Sequence, residues 1–403
     1  MNFFKKKSKN SIITGQELLD FLGIGDVSSD KMSEATYFAC LKILSESLGK
    51  LPLKLQYFTK EMGVQKAYEH PLYSVLSTRP NPYMTSTHFW STVEYNRNHY
   101  GNAFVWIRGA GNNTTLWVLP SDHVQIWVDD RGIWGPNNTI WYIYTSEKSG
   151  KILKIPHDSI LHFRTSSSFD GVKGLSVKEI LATTLDGNLT AQNMLNKLYK
   201  SGFTAKAVLQ YTGALNDDNA RKFAKGIEEY ATGKIENVQS IIPIPLGSTL
   251  QPLNVTLADN QFIELKKYSA LQIACAFGIK PNQINDYEKS SYAAAEQQQL
   301  AFYVDTLLYI LKQYEEELSF KLLSREELEK GYYFKFNVSV ILRADLKTQV
   351  ESLKNAVQGG IYTPNEARAY LDLGAKEKGD ILMVNGNMIP VASVGKQWEA
   401  ERG

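Results

Sequence analysis

Between Ala103 and Thr165 the chain alternates apolar and polar residues in six short runs: AFVWIRG, TTLWVLP, HVQIWVDD, IWYIYTSE, KILKIP and ILHFRT. Successive side chains of a strand point to opposite faces, so a period of two marks half-buried strands. GAGNN, PSD, DDRG, GPNN and KSGK separate the runs and supply turn chemistry. This pattern predicts an antiparallel meander. Upstream, Phe38, Leu41, Leu44, Ser45 and Leu48 recur at steps of three and four, which predicts a helix starting at Ser33–Glu34 and ended by Gly49. Thr85 or Ser86 starts a second helix, with Phe89, Val93 and Tyr100 on its inner face and Gly101 closing it.

Downstream the period lengthens. Residues 176–201 carry Val177, Ile180, Leu181, Leu185, Leu189, Leu195 and Leu198 on one helical side. A returning helix spans 259–277 and is broken by Gly278 and Pro281. Residues 204–258 lie between them and read as a strand (AKAVLQY), a helix capped by Asn216 and strand-like pieces through Val255, a small α/β insertion on a helical hairpin. From Ser290 or Ser291 a further helix carries Leu300, Val304, Leu307, Leu308, Leu311, Tyr314 and Leu318. Running to Leu323, it is ~34 residues and ~50 Å long. A strand, YYFKFNVSVIL, and two C-terminal helices follow, the second opened by Thr363-Pro364-Asn365-Glu366. The class is α+β.

A chain of 403 residues is too long for one simple core, and about two to four domains is the expectation. Lysine and arginine number 44 against 42 acids, so the totals carry no basic footprint for tight binding to nucleic acid. Lys5, Lys6 and Lys7 read as a solvated arm within residues 1–30. No signal-peptide core follows them, and no stretch approaches the roughly 20 apolar residues that span a bilayer. Both readings place the product in the cytoplasm that makes it, away from membranes. Cys40 and Cys275 lie in apolar stretches and read as buried thiols.

Catalytic chemistry is not found. No Walker loop, G-x-G-x-x-G, G-x-S-x-G or H-E-x-x-H occurs, and the six histidines are scattered without ligand spacing. His157, Asp158 and Ser159 are adjacent, so their side chains diverge and make no triad. Glu315, Glu316 and Glu317 are consecutive helix positions, which predicts a solvated face rather than a metal site. The chain reads as neither an enzyme nor a holder of cofactor or metal. Trp106, Trp117, Trp127, Trp134 and Trp141 read as strand formers packing a core. On these residues alone, a carbohydrate-binding or hydrolytic β-domain and a virion scaffold or other assembly protein remain open readings.

Taken in order, ATYFACLKILSESLGKLPLKL, HPLYSVLSTRPNPYMTSTHFWSTVEYNRNHYGNAFVWI, GLSVKEIL, FIELKKYSALQIACAFGIKPNQI and GGIYTPNEARAYLDL resemble the portal proteins of tailed bacteriophages, most closely those of HK97-like heads. The resemblance covers roughly residues 30–390. It implies a closed ring, usually of twelve copies, at one capsid vertex, through which double-stranded DNA passes during packaging and ejection. The terminase large subunit and the head–tail connector would dock on it, and major capsid and scaffold proteins would surround it. It implies a portal fold with an antiparallel β-rich wing at 31–175 and 291–342, and stem helices at 176–203 and 259–277. The α/β clip would be 204–258 and the crown with its tail 343–403. Residues 278–290 match a loop that projects into the channel, so Asn282, Gln283, Asn285, Asp286, Tyr287 and Lys289 are expected to face DNA. Lys266 and Lys267 would line the channel, and Leu307 and Leu308 would meet the neighbouring subunit.

Overall fold

The computed structural model describes residues 34–383, apart from 60–62, 134, 137–138, 148–149, 167, 202–205, 212–217, 219–220, 223–224, 226–247, 254–258, 287–291, 339–345 and 372. The chain divides into two units, residues 1–336 and 337–403. The first begins with α1 (Ala35–Gly49), β1 (Leu53–Thr59), β2 (Gly63–Lys66), α2 (Pro71–Ser77) and α3 (Ser86–Tyr100). Six strands follow: β3 (Asn102–Arg108), β4 (Thr115–Leu119), β5 (Val124–Asp129), β6 (Thr139–Thr145), β7 (Ile152–Pro156) and β8 (Ile160–Arg164). Next come α4 (Val177–Ile180), α5 (Ala182–Ser201), β9 (Lys206–Tyr211), β10 (Ser248–Leu253) and α6 (Asp259–Ala276). The unit closes with α7 (Tyr292–Phe302), a π-helical turn (Tyr303–Leu307), α8 (Leu308–Leu322), α9 (Arg325–Glu329) and β11 (Tyr332–Phe336).

The six runs between Ala103 and Thr165 are strands, but not one meander. β8 returns to pair with β3, from Asn102↔Arg164 to Trp106↔Ile160, giving one antiparallel sheet ordered β4-β3-β8 and a second ordered β5-β6-β7. Phe104, Trp117, Leu119, Tyr142, Tyr144, Ile155 and Ile160 form one cluster drawn from both sheets. A single flat sheet would leave half of these side chains in water, so folding back buries them. Trp117 lies in that cluster and Trp106 packs against it, whereas Trp127 is half exposed. Trp134 lies outside the described residues.

Three local expectations change for identifiable reasons. In α1 the packed stripe is Tyr37, Leu41, Leu44 and Leu48, and Phe38, about 100° further round the helix, is exposed. Gly49 is the last helical residue rather than a left-handed stop: a Cβ there would lie 2.7 Å from the Thr87 carbonyl of α3, so it permits close helix contact. The 176–201 segment is two helices broken at Leu181, with Ile180 exposed. The helix that follows residue 290 is interrupted by the π turn. Its extra residue shifts the stripe, leaving Leu300, Val304 and Leu308 exposed while Phe302, Leu307, Ile310, Leu311, Tyr314 and Leu318 are buried.

Helix α8 is tied to the rest by charge. Glu94 of α3 is buried and accepts from Arg97 Nε and Nη2 (both 2.9 Å), Asn98 Nδ2 (2.7 Å) and the Tyr314 hydroxyl of α8 (2.8 Å). Arg97 Nη1 donates to the carbonyl of Arg164 at the end of β8 (3.1 Å). Burial alone would pull the guanidinium pKa down, but the Glu94 carboxylate more than offsets this and raises it. The Tyr314 ring stacks on Phe163 of β8, with centroids 4.0 Å apart. Glu315 and Glu317 are not solvated. Glu315 accepts from Lys335 Nζ (2.8 Å) and Phe336 N (2.9 Å), and Glu317 from His162 N (3.0 Å). Ser319 Oγ accepts from Phe334 N at 3.4 Å, so α8 side chains cover the outer edge of β11, whose other edge pairs with β1.

A second polar chain joins the sheets to the start of α4. Asn102 Nδ2 donates to Gly174 O and its Oδ1 accepts from Gly174 N, both at 2.9 Å. That orientation makes Asn102 Oδ1 the acceptor for His162 Nε2–H (3.0 Å), leaving Nδ1 to accept from the Tyr142 hydroxyl (3.1 Å). Burial, then the charge of Arg164, lowers the His162 pKa to about 3.

In the second unit, α10 (Leu346–Gln358) and α11 (Pro364–Tyr370) are the two C-terminal helices expected from the sequence. Thr363 and Glu366 cap α11 reciprocally. Asn365 Nδ2 donates to Lys376 O (2.9 Å) and Asp380 Oδ1 (3.0 Å), pinning the following loop.

Two outcomes follow from the buried polar groups. Glu94→Leu leaves the Arg97 cation buried without its carboxylate, and urea unfolding should show a loss of about 3–5 kcal/mol. Above pH 6.5 His162 is neutral folded or unfolded and its contribution is complete. Below it the unfolded imidazole takes up a proton that the folded one refuses until about pH 3. Stability then falls by ~1.4 kcal/mol per pH unit through that window. Comparing stability against pH for wild type and His162→Asn should show a slope smaller by one proton in the variant. Equal slopes would exclude this role.

Candidate functional site

The loop that follows α6 is set by how that helix ends. Gly278 takes φ +70°, and its N–H and that of Ile279 return to the carbonyls of Cys275 (2.9 Å) and Ala274 (2.9 Å). A Cβ at Gly278 would lie 2.7 Å from Thr306 Oγ1, so both the conformation and the space favour glycine. Phe277 and Ile279 are buried on either side of it. Pro281 then opens a single 3₁₀ turn, Pro281–Ile284, and Asn285 reverses the chain at φ +63°.

Four side-chain contacts clamp the base of this loop. Thr306 Oγ1 donates to Gly278 O (2.7 Å), and Lys280 Nζ pairs with Asp305 Oδ2 (2.7 Å). Both partners lie in the π turn, whose wider backbone presents Asp305 and Thr306 side by side toward residues 278–280. Asn282 N donates to Gln298 Oε1 of α7 (3.2 Å). Lys267 Nζ of α6 lies 3.7 Å from Asp286 Oδ1. The lysines at 267 and 280 are thus each matched by a carboxylate.

Of the loop residues expected to face a ligand, Asn282, Gln283, Asn285 and Asp286 are brought together here; Tyr287 and Lys289 lie outside the described residues. Gln283 turns inward, its Oε1 accepting from Lys280 N (3.1 Å). Lys266 donates to Gln192 of α5, and Ser269 Oγ donates to Asn188 Oδ1 (2.7 Å). These polar pairs join α5 and α6 as an antiparallel hairpin with β9 and β10 between them in sequence. The helix expected from Asn216 lies largely outside the described residues. Leu307 is 1% exposed and Leu308 44% exposed, so only Leu308 offers apolar surface outside the chain's own core. Cys275 is exposed, against expectation, because α6 buries Ile273 and Ala274 on its other side. The sequence signals that found the loop were Gly278, Pro281 and the helix start behind it. The roles of Thr306, Asp305 and Gln298 had no such signal, since nothing marks a π turn in advance.

No described helix is long and apolar enough to cross a membrane. A family model described as phage portal protein matches residues 35–372. The portal protein of Enterobacteria phage HK97 is 21% identical over 388 residues, covering 94% of this chain and 88% of that protein. Among solved structures, the neck of an empty gene transfer agent particle, reconstructed with C6 symmetry, superposes with a TM-score of 0.57 at 21% identity over 85% of this chain and 91% of that one. The native particle's neck, with C12 symmetry, gives 0.52 at 20% over 84% and 90%. The crystal structure of an HK97-family portal protein from Corynebacterium diphtheriae gives 0.54 at 15%, over 83% of this chain and 98% of that one.

Proposed function

This chain belongs to the phage portal protein family, and we propose that twelve copies of it close head to tail into a ring at one vertex of a capsid. The ring is the conduit for double-stranded DNA during packaging and ejection, and the platform on which the terminase large subunit and later the head–tail connector dock. In this reading residues 31–175 and 291–342 form the wing, 176–203 and 259–277 the stem, 204–258 the clip and 343–403 the crown. Residues 278–290 are the channel loop. The protein acts in the virion, among major capsid and scaffold proteins, and has no chemistry of its own.

The observation that carries this reading is the α5–α6 hairpin ending in the clamped 278–286 turn, in a chain that shares its fold with necks solved with C6 and C12 symmetry. A duplex moving past twelve copies must not be gripped, because each fixed cation that neutralises a phosphate adds salt-sensitive affinity. The carboxylates of Asp286 and Asp305 beside Lys267 and Lys280 fit that requirement. So does the formal net charge of +2. Head-to-tail closure is heterologous, so each copy needs apolar surface that no part of its own core covers. Leu308 supplies it on α8. Leu307 does not, being buried within the chain.

Electron microscopy of the purified protein, with mass measurement, should show rings with an axial hole and about twelve copies. Leu308→Asp should remain folded but fail to form them, whereas Leu307→Asp should fail to fold. Intact rings from Leu308→Asp would exclude its interface role. Deleting residues 282–288 should leave rings intact and sharply reduce packaged DNA in particles; normal packaging would remove the loop from the mechanism.

A further inference from the structure

We propose that the apolar segment 18–24 of the N-terminal arm folds back and seats in a cleft of its own chain, with Phe21 as the anchor. Leu44, Leu175, Val177, Phe277, Tyr309 and Ile310 line this cleft, whose volume is about 470 Å³. That volume takes an aromatic ring together with a neighbouring aliphatic side chain. Ile180 and Tyr309, both on its lining, are each 55% exposed. The recess thus continues outward as apolar surface that the described residues leave open to water.

The point at which the described chain begins identifies the occupant. Tyr37, in the first turn of α1, meets the ring of Phe277 edge-on, with centroids 5.4 Å apart, and Phe277 lines the cleft. The arm therefore joins the fold one side chain away from the cleft wall. Leu44, on the same lining, lies about 15 Å along the helix from Glu34. Residues 25–33, GDVSSDKMS, span up to about 30 Å when extended. They can lead the chain back over that distance and still leave length for a turn at Gly25 or Ser28–Ser29.

The composition of the arm fits the same place. Leu18, Leu19, Phe21, Leu22 and Ile24 are crowded into GQELLDFLGIG, between mostly polar stretches on either side. Leu18, Phe21 and Leu22 recur at steps of three and four, so one turn of helix would present all three on one face. In water such a cluster is unfavourable, and burying it against apolar walls relieves the cost. A short connector also holds the segment near the cleft at an effective concentration on the order of millimolar, which favours it over a freely diffusing partner. Gly278 and Thr306 lie on the cleft lining too, so the seated arm would rest against the clamp of the 278–286 turn. The inference needs one chain only and does not depend on ring formation.

The two cysteines give a direct test. Cys275 lines the cleft and is exposed, while Cys40 is buried with its pKa pushed up to about 12, so a maleimide reports on Cys275. In the full chain, Leu18→Ser/Phe21→Ser should speed labelling of Cys275 by fluorescein maleimide roughly tenfold or more, with an unchanged circular dichroism spectrum. Equal labelling rates would overturn the proposal. Leu22→Cys protein, which keeps Phe21, should on mild oxidation form a disulfide with Cys275 that runs as a single chain on non-reducing gels. The bond should be absent from Leu22→Cys/Cys275→Ser. Failure to form it would overturn the proposal and leave the ring reading standing. A ladder of disulfide-linked oligomers would give the cleft to the arm of another copy and so overturn the assignment to its own. Protein that never forms rings yet shows the single-chain disulfide would uphold the arm and count against the ring alone.

Discussion

One carboxylate organises the first unit. Glu94 is out of water, so its charge is tolerable only while every lone pair is engaged. The groups that engage it come from its own helix and, through Tyr314, from a segment 220 residues away. Arg97 extends the set to the end of β8. The consequence is geometric. With Tyr314 fixed against Glu94 and Phe163, helix α8 has one azimuth, and the π turn immediately before it presents Asp305 and Thr306 to Gly278 and Lys280. The loop base therefore inherits its position from a buried ion pair through roughly two turns of helix.

Much of this architecture is written locally. The period of two between Ala103 and Thr165 located all six strands, and Thr85, Gly101 and Thr363 marked helix ends where the structure has them. Local pattern could not say which strand β8 joins, because that choice is made by a core shared between two sheets. Nor could it foresee the π turn. A stripe extrapolated at 3.6 residues per turn put Leu300, Val304 and Leu308 inward, whereas the anchorage of Tyr314 and the extra residue put them outside. Glu315 and Glu317 failed as solvated residues for a related reason: their partners, Phe336 N and His162 N, are strand amides distant in sequence. The loop itself was legible from Gly278 and Pro281. Its clamps were not, since each depends on a side chain delivered by tertiary packing.

The same economy governs charge. Two buried ionisable groups stand in satisfied sets, Glu94 with Arg97 and neutral His162 between Asn102 and Tyr142. Where lysines stand at the loop base, carboxylates stand beside them. A family member proposed to let a polyanion pass needs this second arrangement as much as the first. Lysines left unmatched at such a place would be repeated by every copy, and a small local excess would become a belt of positive potential.

The seal on β11 bears on how an assembly of this kind knows where to stop. A bare strand edge pairs with any other bare edge and offers no angle at which growth ends, so it leads to fibres. Glu315 and Ser319 occupy the outward amides of Phe336 and Phe334 from within the same molecule, and so withdraw that edge from intermolecular use. In the ring proposed above, this edge then takes no part in association, and side-chain surfaces of definite shape can set the fixed rotation from one copy to the next. Finite size, on this view, depends partly on two side chains that make no contact between copies at all.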